Sequence, residues 1–250
     1  MVPWDMTFTY YDEASKSYKE LKTTTDSKEY SDLWIPFLRS FAAHQKEKGW
    51  FDRTVIAMDE RALDAMQDAY RIAQEAAPGI KMSLAGNYHK ELVDKIYDYC
   101  IAWKQQFTPE DLALRNSKGW ISTSYTACPD AMPNVGSNNE PIEATYLPLC
   151  CIANGFNGFL RWAWMNWTDN PMYDSRFKLF TPGDTYIVYP GNHSSRRFEH
   201  IIRGVQNVAK IETLRKEYKQ KRNQKALQLL EDALSQFKNP TPNEAELREN

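Results

Sequence analysis

Asp59 and Glu60 stand side by side at the end of the apolar run in "RTVIAMDERALDAM", and a helical pattern begins directly after them. Two neighbouring carboxyl groups can divide acid and base work, one handing over a proton while the other stays charged. A plainer reading stands beside this one. An aspartate between a strand and a helix satisfies free backbone N–H groups as an N-cap, and a glutamate there favours the positive helix end. Asp12-Glu13 also occurs, so the dipeptide alone is unspecific. Position favours chemistry, because the C-terminal ends of strands face the active site in βα barrels.

Other strand ends carry polar and aromatic groups too. "LAGNYH" ends in Asn87, Tyr88 and His89, "ISTSY" ends in Tyr125, and "LRWAWMNW" holds Arg161, Trp162, Trp164, Asn166 and Trp167. Amide and phenol hydrogen-bonders, indole faces and acids together suit a carbohydrate pocket, with aromatic walls for the C–H faces of a pyranose and acids for the glycosidic bond. Each residue has a structural alternative. A lone His89 is more often a helix-end or core histidine than a catalyst, Trp162 and Trp164 read also as filling for one face of a strand, and Arg161 as the neutraliser of a carboxylate. Neither a phosphate-cradling glycine loop nor a serine-nucleophile elbow is present.

The elements that position these residues alternate. A short strand around Phe8 to Tyr11 is followed by the polar "DEASKSYKELKTTTDSKEYS", which reads as an exposed connection. Leu33, Trp34, Phe37, Leu38 and Phe41 lay one apolar stripe along a helix from Asp32 to Lys48, stopped by Gly49. "RTVIAM" then reads as a buried strand and Leu63 to Ala73 as a helix. "IKMSLAG" reads as a strand, "HKELVDKIYDY" as a short helix and "CIAW" as a strand. "TPEDLALRNSKG" reads as a helix with Thr108 as N-cap, Pro109 in the first turn and Gly119 past the end. "WISTSYTA" is a strand, "CPDAMPNVGSNNEP" a loop, "IEATYLPLCCIANG" a helix and "FNGFLRWAWMNW" a tryptophan-rich strand. Such alternation argues for parallel βαβ units. From Ser194 to about Phe237 the pattern is helical, with Phe198, Ile201, Ile202, Val205, Val208 and Ile211 as its stripe, and "NPTPNEAELREN" reads as a frayed polar end.

A formal net charge of −2, from 31 Lys+Arg against 33 Asp+Glu, gives no field that would draw nucleic acid or an anionic membrane. The basic "RKEYKQKRNQK" reads as a solvated helix face. Cys100, Cys128, Cys150 and Cys151 lack the paired short spacings of a zinc site and read as buried thiols. No metal or cofactor is expected. "MVPWDMTFTYYDEA" has no basic segment followed by an apolar stretch, and no apolar run is long enough to span a membrane.

"HQKEKGWFDRTVIAMDER", "KMSLAGNYH", "GFLRWAWMNW", "DSRFKLFTPGDTYIVYPG" and "SSRRFEHIIRGVQNVAKI" resemble the catalytic domain of glycoside hydrolase family 123, the β-N-acetylgalactosaminidases, from about Trp4 to Leu214. The resemblance implies a (β/α)8 barrel of the TIM type, of which this chain holds the later strands, about the third to the eighth. A β-sandwich and the first strands, usual in the family, have no counterpart here, and Ala62 stands where the family often has proline. On this basis residues 1–215 form a partial barrel domain and 216–250 a C-terminal helix and polar tail. Open strand edges in such a part would favour self-association.

The resemblance further implies cleavage of a terminal β-linked N-acetylgalactosamine, with retention and with the substrate's own acetamido oxygen as nucleophile. The glycan belongs to an oligosaccharide or a glycolipid, and by analogy the parent protein is periplasmic or secreted. Asp59 would accept a hydrogen bond from the acetamido N–H, and Glu60 would protonate the departing oxygen. Tyr125 would donate to the acetamido oxygen, Trp162 and Trp164 would form walls, and Asn87, Tyr88 and Arg161 would bind the sugar. Adjacent residues on an ideal strand point to opposite faces, so the backbone should leave regular β geometry at Asp59-Glu60. Two rivals remain: a catalytically silent carbohydrate-binding or structural fragment, and a metal-dependent sugar isomerase, for which no His and acid spacing speaks.

Overall fold

The computed structural model describes residues 6–127, 130 and 132–238; Cys128, part of the loop that follows it, and the polar end from residue 239 lie outside them. The chain divides into two compact units, Met1–Ile101 with Phe107–Ile121, and Ala102–Gln106 with Ser122–Asn250.

The first unit begins with an antiparallel hairpin, β1 (Thr7–Asp12) and β2 (Ser17–Lys22), in register Thr7 to Lys22. The polar stretch expected as a connection therefore contains a strand. Asp12 makes the turn by accepting from the backbone and hydroxyl of Ser15, and Lys16 takes the left-handed conformation at φ 50°. α1 (Lys28–Glu47) is capped by Ser27, whose hydroxyl accepts from Tyr30 N. Its buried line is Tyr30, Trp34, Leu38 and Ala42, and Phe8 of the hairpin meets the rings of Tyr30 and Trp34 edge-on.

β3 (Val55–Met58), α2 (Leu63–Ala76), β4 (Lys81–Gly86), β5 (Asp98–Ala102) and α3 (Pro109–Ser117) follow. β4 lies between β3 and β5, parallel to both, and Tyr99, Cys100 and Ile101 of β5 are all buried, as expected of a strand covered on both faces. Thr108 and Asp111 form a capping box at the start of α3, and Gly119 follows its end at φ 64°. The helix expected over "HKELVDKIYDY" is only a single turn, Lys90–Leu92. Its place is taken by Arg115, fully buried, which donates Nη1 to the carbonyls of Val93 and Ile96 and Nη2 to those of Tyr97 and Ile121. Val93 O, which a helix over this stretch would pair with Tyr97 N, is thereby committed to Arg115. Burial lowers the Arg115 pKa to about 10, which still leaves it a cation at neutral pH.

The second unit holds most of β6 (Ile121–Tyr125), then α4 (Glu143–Ala153), β7 (Gly158–Phe159), α5 (Arg196–Gln220) and α6 (Gln224–Ser235). The helical stretch expected from Ser194 is thus two helices, broken where Arg222 turns to φ 53° and Asn223 caps α6. Of the apolar stripe on α5, Ile201 is buried while Ile202 and Val205 are exposed. The buried line is Arg197, Ile201 and Gly204. A Cβ at Gly204 would come within 2.6 Å of the Thr145 carbonyl, so the glycine is what lets α5 seat against α4.

The parallel strands are ordered β3-β4-β5-β6-β7, an α/β arrangement whose sheet does not close on itself among the described residues. The tryptophan-rich strand is much shorter than expected. Its residues in register with β6 are Gly158 and Phe159, flanked by bonds from Asn157 N to Ser122 O and from Leu160 N to Ser124 O; beyond Leu160 the backbone is captured by the returning segment, with Asn166 N donating to Thr185 O and Ile187 N to Trp164 O. Cys100, Cys150 and Cys151 are buried and form no disulfide. No described helix is long and apolar enough to cross a membrane.

Candidate active site

β3 stops at Met58, and Asp59 and Glu60 follow, with Glu60 on a bend, before α2 begins. The backbone thus departs from β geometry where expected. α2 takes Ala62 as its N-cap, without a side-chain hydrogen bond, so Asp59 does not occupy the N-cap position that the plainer reading gave it. Both acids are exposed, the Asp59 side chain by 72%. Arg61 stays close to both residues: its guanidinium lies 3.6 Å from Asp59 Oδ2 and donates to the Glu60 carbonyl at 2.7 Å. In water such an ion pair holds a side chain only weakly.

The loop after β4 carries Asn87, Tyr88 and His89 and is braced from below. The buried Tyr99 hydroxyl donates to Asn87 O at 2.7 Å and accepts from His89 N at 2.8 Å. Tyr88 donates its hydroxyl to Asp111 Oδ2 at 2.8 Å, and Lys90 pairs with the other oxygen of the same buried carboxylate. Burial, reinforced by Asp111, holds the Tyr88 phenol up at about 12, so it is a donor throughout the neutral range. Asn87 itself is exposed, and His89 is half-buried.

In the second unit Tyr125 is the last residue of β6, half-buried, its carbonyl accepting from Trp103 N at 2.8 Å. Arg161 is buried and donates Nη2 to Asp184, both to Oδ1 at 2.7 Å and to the backbone carbonyl. Asp184 Oδ2 accepts from the Trp162 indole at 2.9 Å. One buried carboxylate therefore neutralises Arg161 and fixes the edge of Trp162, whose ring stays half exposed and stacks on Phe180 at 5.2 Å. Arg161 fills the carboxylate-neutralising role set out as its structural alternative. Trp164 goes elsewhere, packing against the core of Val135, Ala144, Leu147, Ile187 and Ile201 and meeting Phe198 edge-on. Among the described residues no group of three or more His, Cys, Asp or Glu side chains is placed to hold a metal.

Sequence reasoning passed over Asp184, Tyr99 and Asp111. Asp184 lies inside the distinctive block "DSRFKLFTPGDTYIVYPG", where a lone acid directly before an apolar run was its only signal. Tyr99 and Asp111 showed only as members of a strand and a helix, with nothing local to mark their partners.

No curated protein matches the chain. Among solved structures it is similar to a family 123 glycoside hydrolase from Clostridium perfringens that hydrolyses glycolipid glycans, at 25% identity and a TM-score of 0.82. The likeness covers 95% of this chain and 43% of that one, so the chain spans less than half the length of that protein. Residues 1–214 match the model of the glycoside hydrolase 123 catalytic domain, and the chain accordingly belongs to glycoside hydrolase family 123.

Proposed function

We propose that the chain carries the acid pair of a glycoside hydrolase that removes terminal β-linked N-acetylgalactosamine from glycolipid or oligosaccharide glycans, with retention and through an oxazolinium intermediate. The observation that carries this is the Asp59-Glu60 pair, exposed past the C-terminal end of β3 and ahead of the Ala62 N-cap of α2, in a chain of this family. The parallel βα order supports reading β3 to β7 as later strands of a (β/α)8 barrel.

The substrate's acetamido carbonyl attacks the anomeric carbon, and the protein supplies no nucleophile. Asp59 accepts the hydrogen bond of the acetamido N–H and stabilises the positive charge that grows as the five-membered ring closes. Glu60 donates its proton to the departing glycosidic oxygen and then takes one from the water that opens the ring, restoring the sugar. Asn87 and Tyr88 bind sugar hydroxyls beside them. Among residues of the second unit, the Tyr125 hydroxyl is assigned as a donor to the acetamido oxygen and Trp162 as an aromatic wall, its indole held by the Asp184 carboxylate that the buried Arg161 neutralises, while Trp164 serves the core.

The purified protein should hydrolyse 4-nitrophenyl N-acetyl-β-galactosaminide, and its turnover should not require a divalent metal. Saturable binding of N-acetylgalactosamine without turnover would instead identify a silent carbohydrate-binding part. Activity abolished by a chelator and restored by a metal would contradict the mechanism.

A further inference from the structure

β3 and β4 run parallel with Val55 beside Lys81 and Met58 beside Leu84. Two residues further along the same register, Glu60 comes beside Gly86, the last residue of β4. The approach is close. A Cβ added at Gly86 would lie 3.0 Å from Glu60 Cγ, against 3.6 Å from Glu60 Cα and 3.7 Å from Leu84 Cδ1. The last two are ordinary carbon contacts, whereas the first is well inside the usual separation of about 3.5–4.0 Å. A methyl there would displace the stem of Glu60 and little else. Gly86 is buried, so the methyl has no solvent to turn towards.

Nothing in the fold asks for glycine at this place. Gly86 is not among the positive-φ residues, and it pairs with Ile101 as an ordinary strand residue. Within a strand glycine is the weaker choice, because it loses more freedom on folding and has no side chain to pack. Its presence is explained by what lies over it, and isolated glycines in strands commonly mark such close approaches.

We infer that Gly86 is a positioning residue for Glu60, its missing side chain leaving the space in which the stem of the proton donor lies. The inference rests on the reading of Glu60 as the general acid. Only a few tenths of an ångström are at stake, but they fall on the group that must meet the glycosidic oxygen within hydrogen-bond reach.

The test is a cycle of Gly86→Ala, Glu60→Gln and the double variant, with 4-nitrophenyl N-acetyl-β-galactosaminide as the probe. Gly86→Ala should lower kcat about 5- to 20-fold with KM nearly unchanged, a fraction of the roughly 100-fold that a 1 Å misplacement costs. It should move the limb of the pH–rate profile that reports the proton donor, and leave the melting temperature no lower than that of the parent. In the Glu60→Gln background the same methyl should cost nothing, since the group it displaces no longer gives a proton. An unchanged kcat, an equal fractional loss in both backgrounds, or loss of folded protein would overturn the inference while leaving Glu60 its role. Full activity in Glu60→Gln alone would overturn the assignment of Glu60, and this inference with it.

Discussion

Glu60→Gln should lower kcat for release of N-acetylgalactosamine from an unactivated glycan by about 10²–10⁴-fold, the range that a positioned proton donor contributes. The loss should be far smaller on a dinitrophenyl glycoside, whose leaving group departs without a proton. Glutamine keeps the shape of the side chain, and the hydrogen bond from Arg61 goes to the Glu60 backbone, so the bend after β3 is retained. Asp59→Asn makes the useful contrast. Its loss falls on the charge that develops during ring closure, which happens whatever the leaving group, and should be about 10²–10³-fold on both substrates. Equal losses on the two substrates for Glu60→Gln would refute its role as proton donor.

Asp184→Ala should destabilise the protein by about 3–5 kcal/mol, because it leaves Arg161 as a buried charge without its carboxylate. The side chains of Arg161 and Asp184 are only 1% and 3% exposed, so solvent offers little replacement. For a chain of this size the melting temperature should fall by roughly 6–20 °C. The double variant Arg161→Met with Asp184→Leu should recover much of that loss, since the uncompensated charge disappears with its partner. It should not recover the Trp162 anchor, whose indole donates to the same carboxylate, so stability and sugar binding should separate. A single Asp184→Ala variant within about 0.5 kcal/mol of the parent, the range of an ordinary surface change, would contradict this account of the second unit.

Much of the frame was legible where the signals are local. Thr108, Pro109 and Gly119 marked both ends of α3, and the apolar runs of "RTVIAM" and "IKMSLAG" marked β3 and β4. The candidate site was legible as a position, two acids at the end of a strand, but that Ala62 and not Asp59 takes the N-cap position of α2 showed only in the fold. Where the reading failed, a distant residue decided the outcome. Arg115 took the Val93 carbonyl that a helix after His89 would have used, and the segment around Thr185 to Ile187 took the backbone that would have lengthened β7. The polar β2 escaped because its pattern carries no apolar alternation, its partner in β1 being what makes it a strand. Trp162 and Trp164 looked equivalent in the sequence, and only the placement of Asp184 and of the core around Ile187 separates them.

The claim on which the account depends is that the sugar's own acetamido oxygen forms the new bond to the anomeric carbon while Asp59 and Glu60 assist it. The direct measurement is kcat/KM for a series of aryl β-galactosaminides whose N-acyl group is acetyl, fluoroacetyl, difluoroacetyl and trifluoroacetyl. Each fluorine withdraws electron density from the attacking oxygen, so the rate should fall steeply and in order along the series. Rates that stay level would mean that the nucleophile comes from the protein or from water, and would contradict the mechanism.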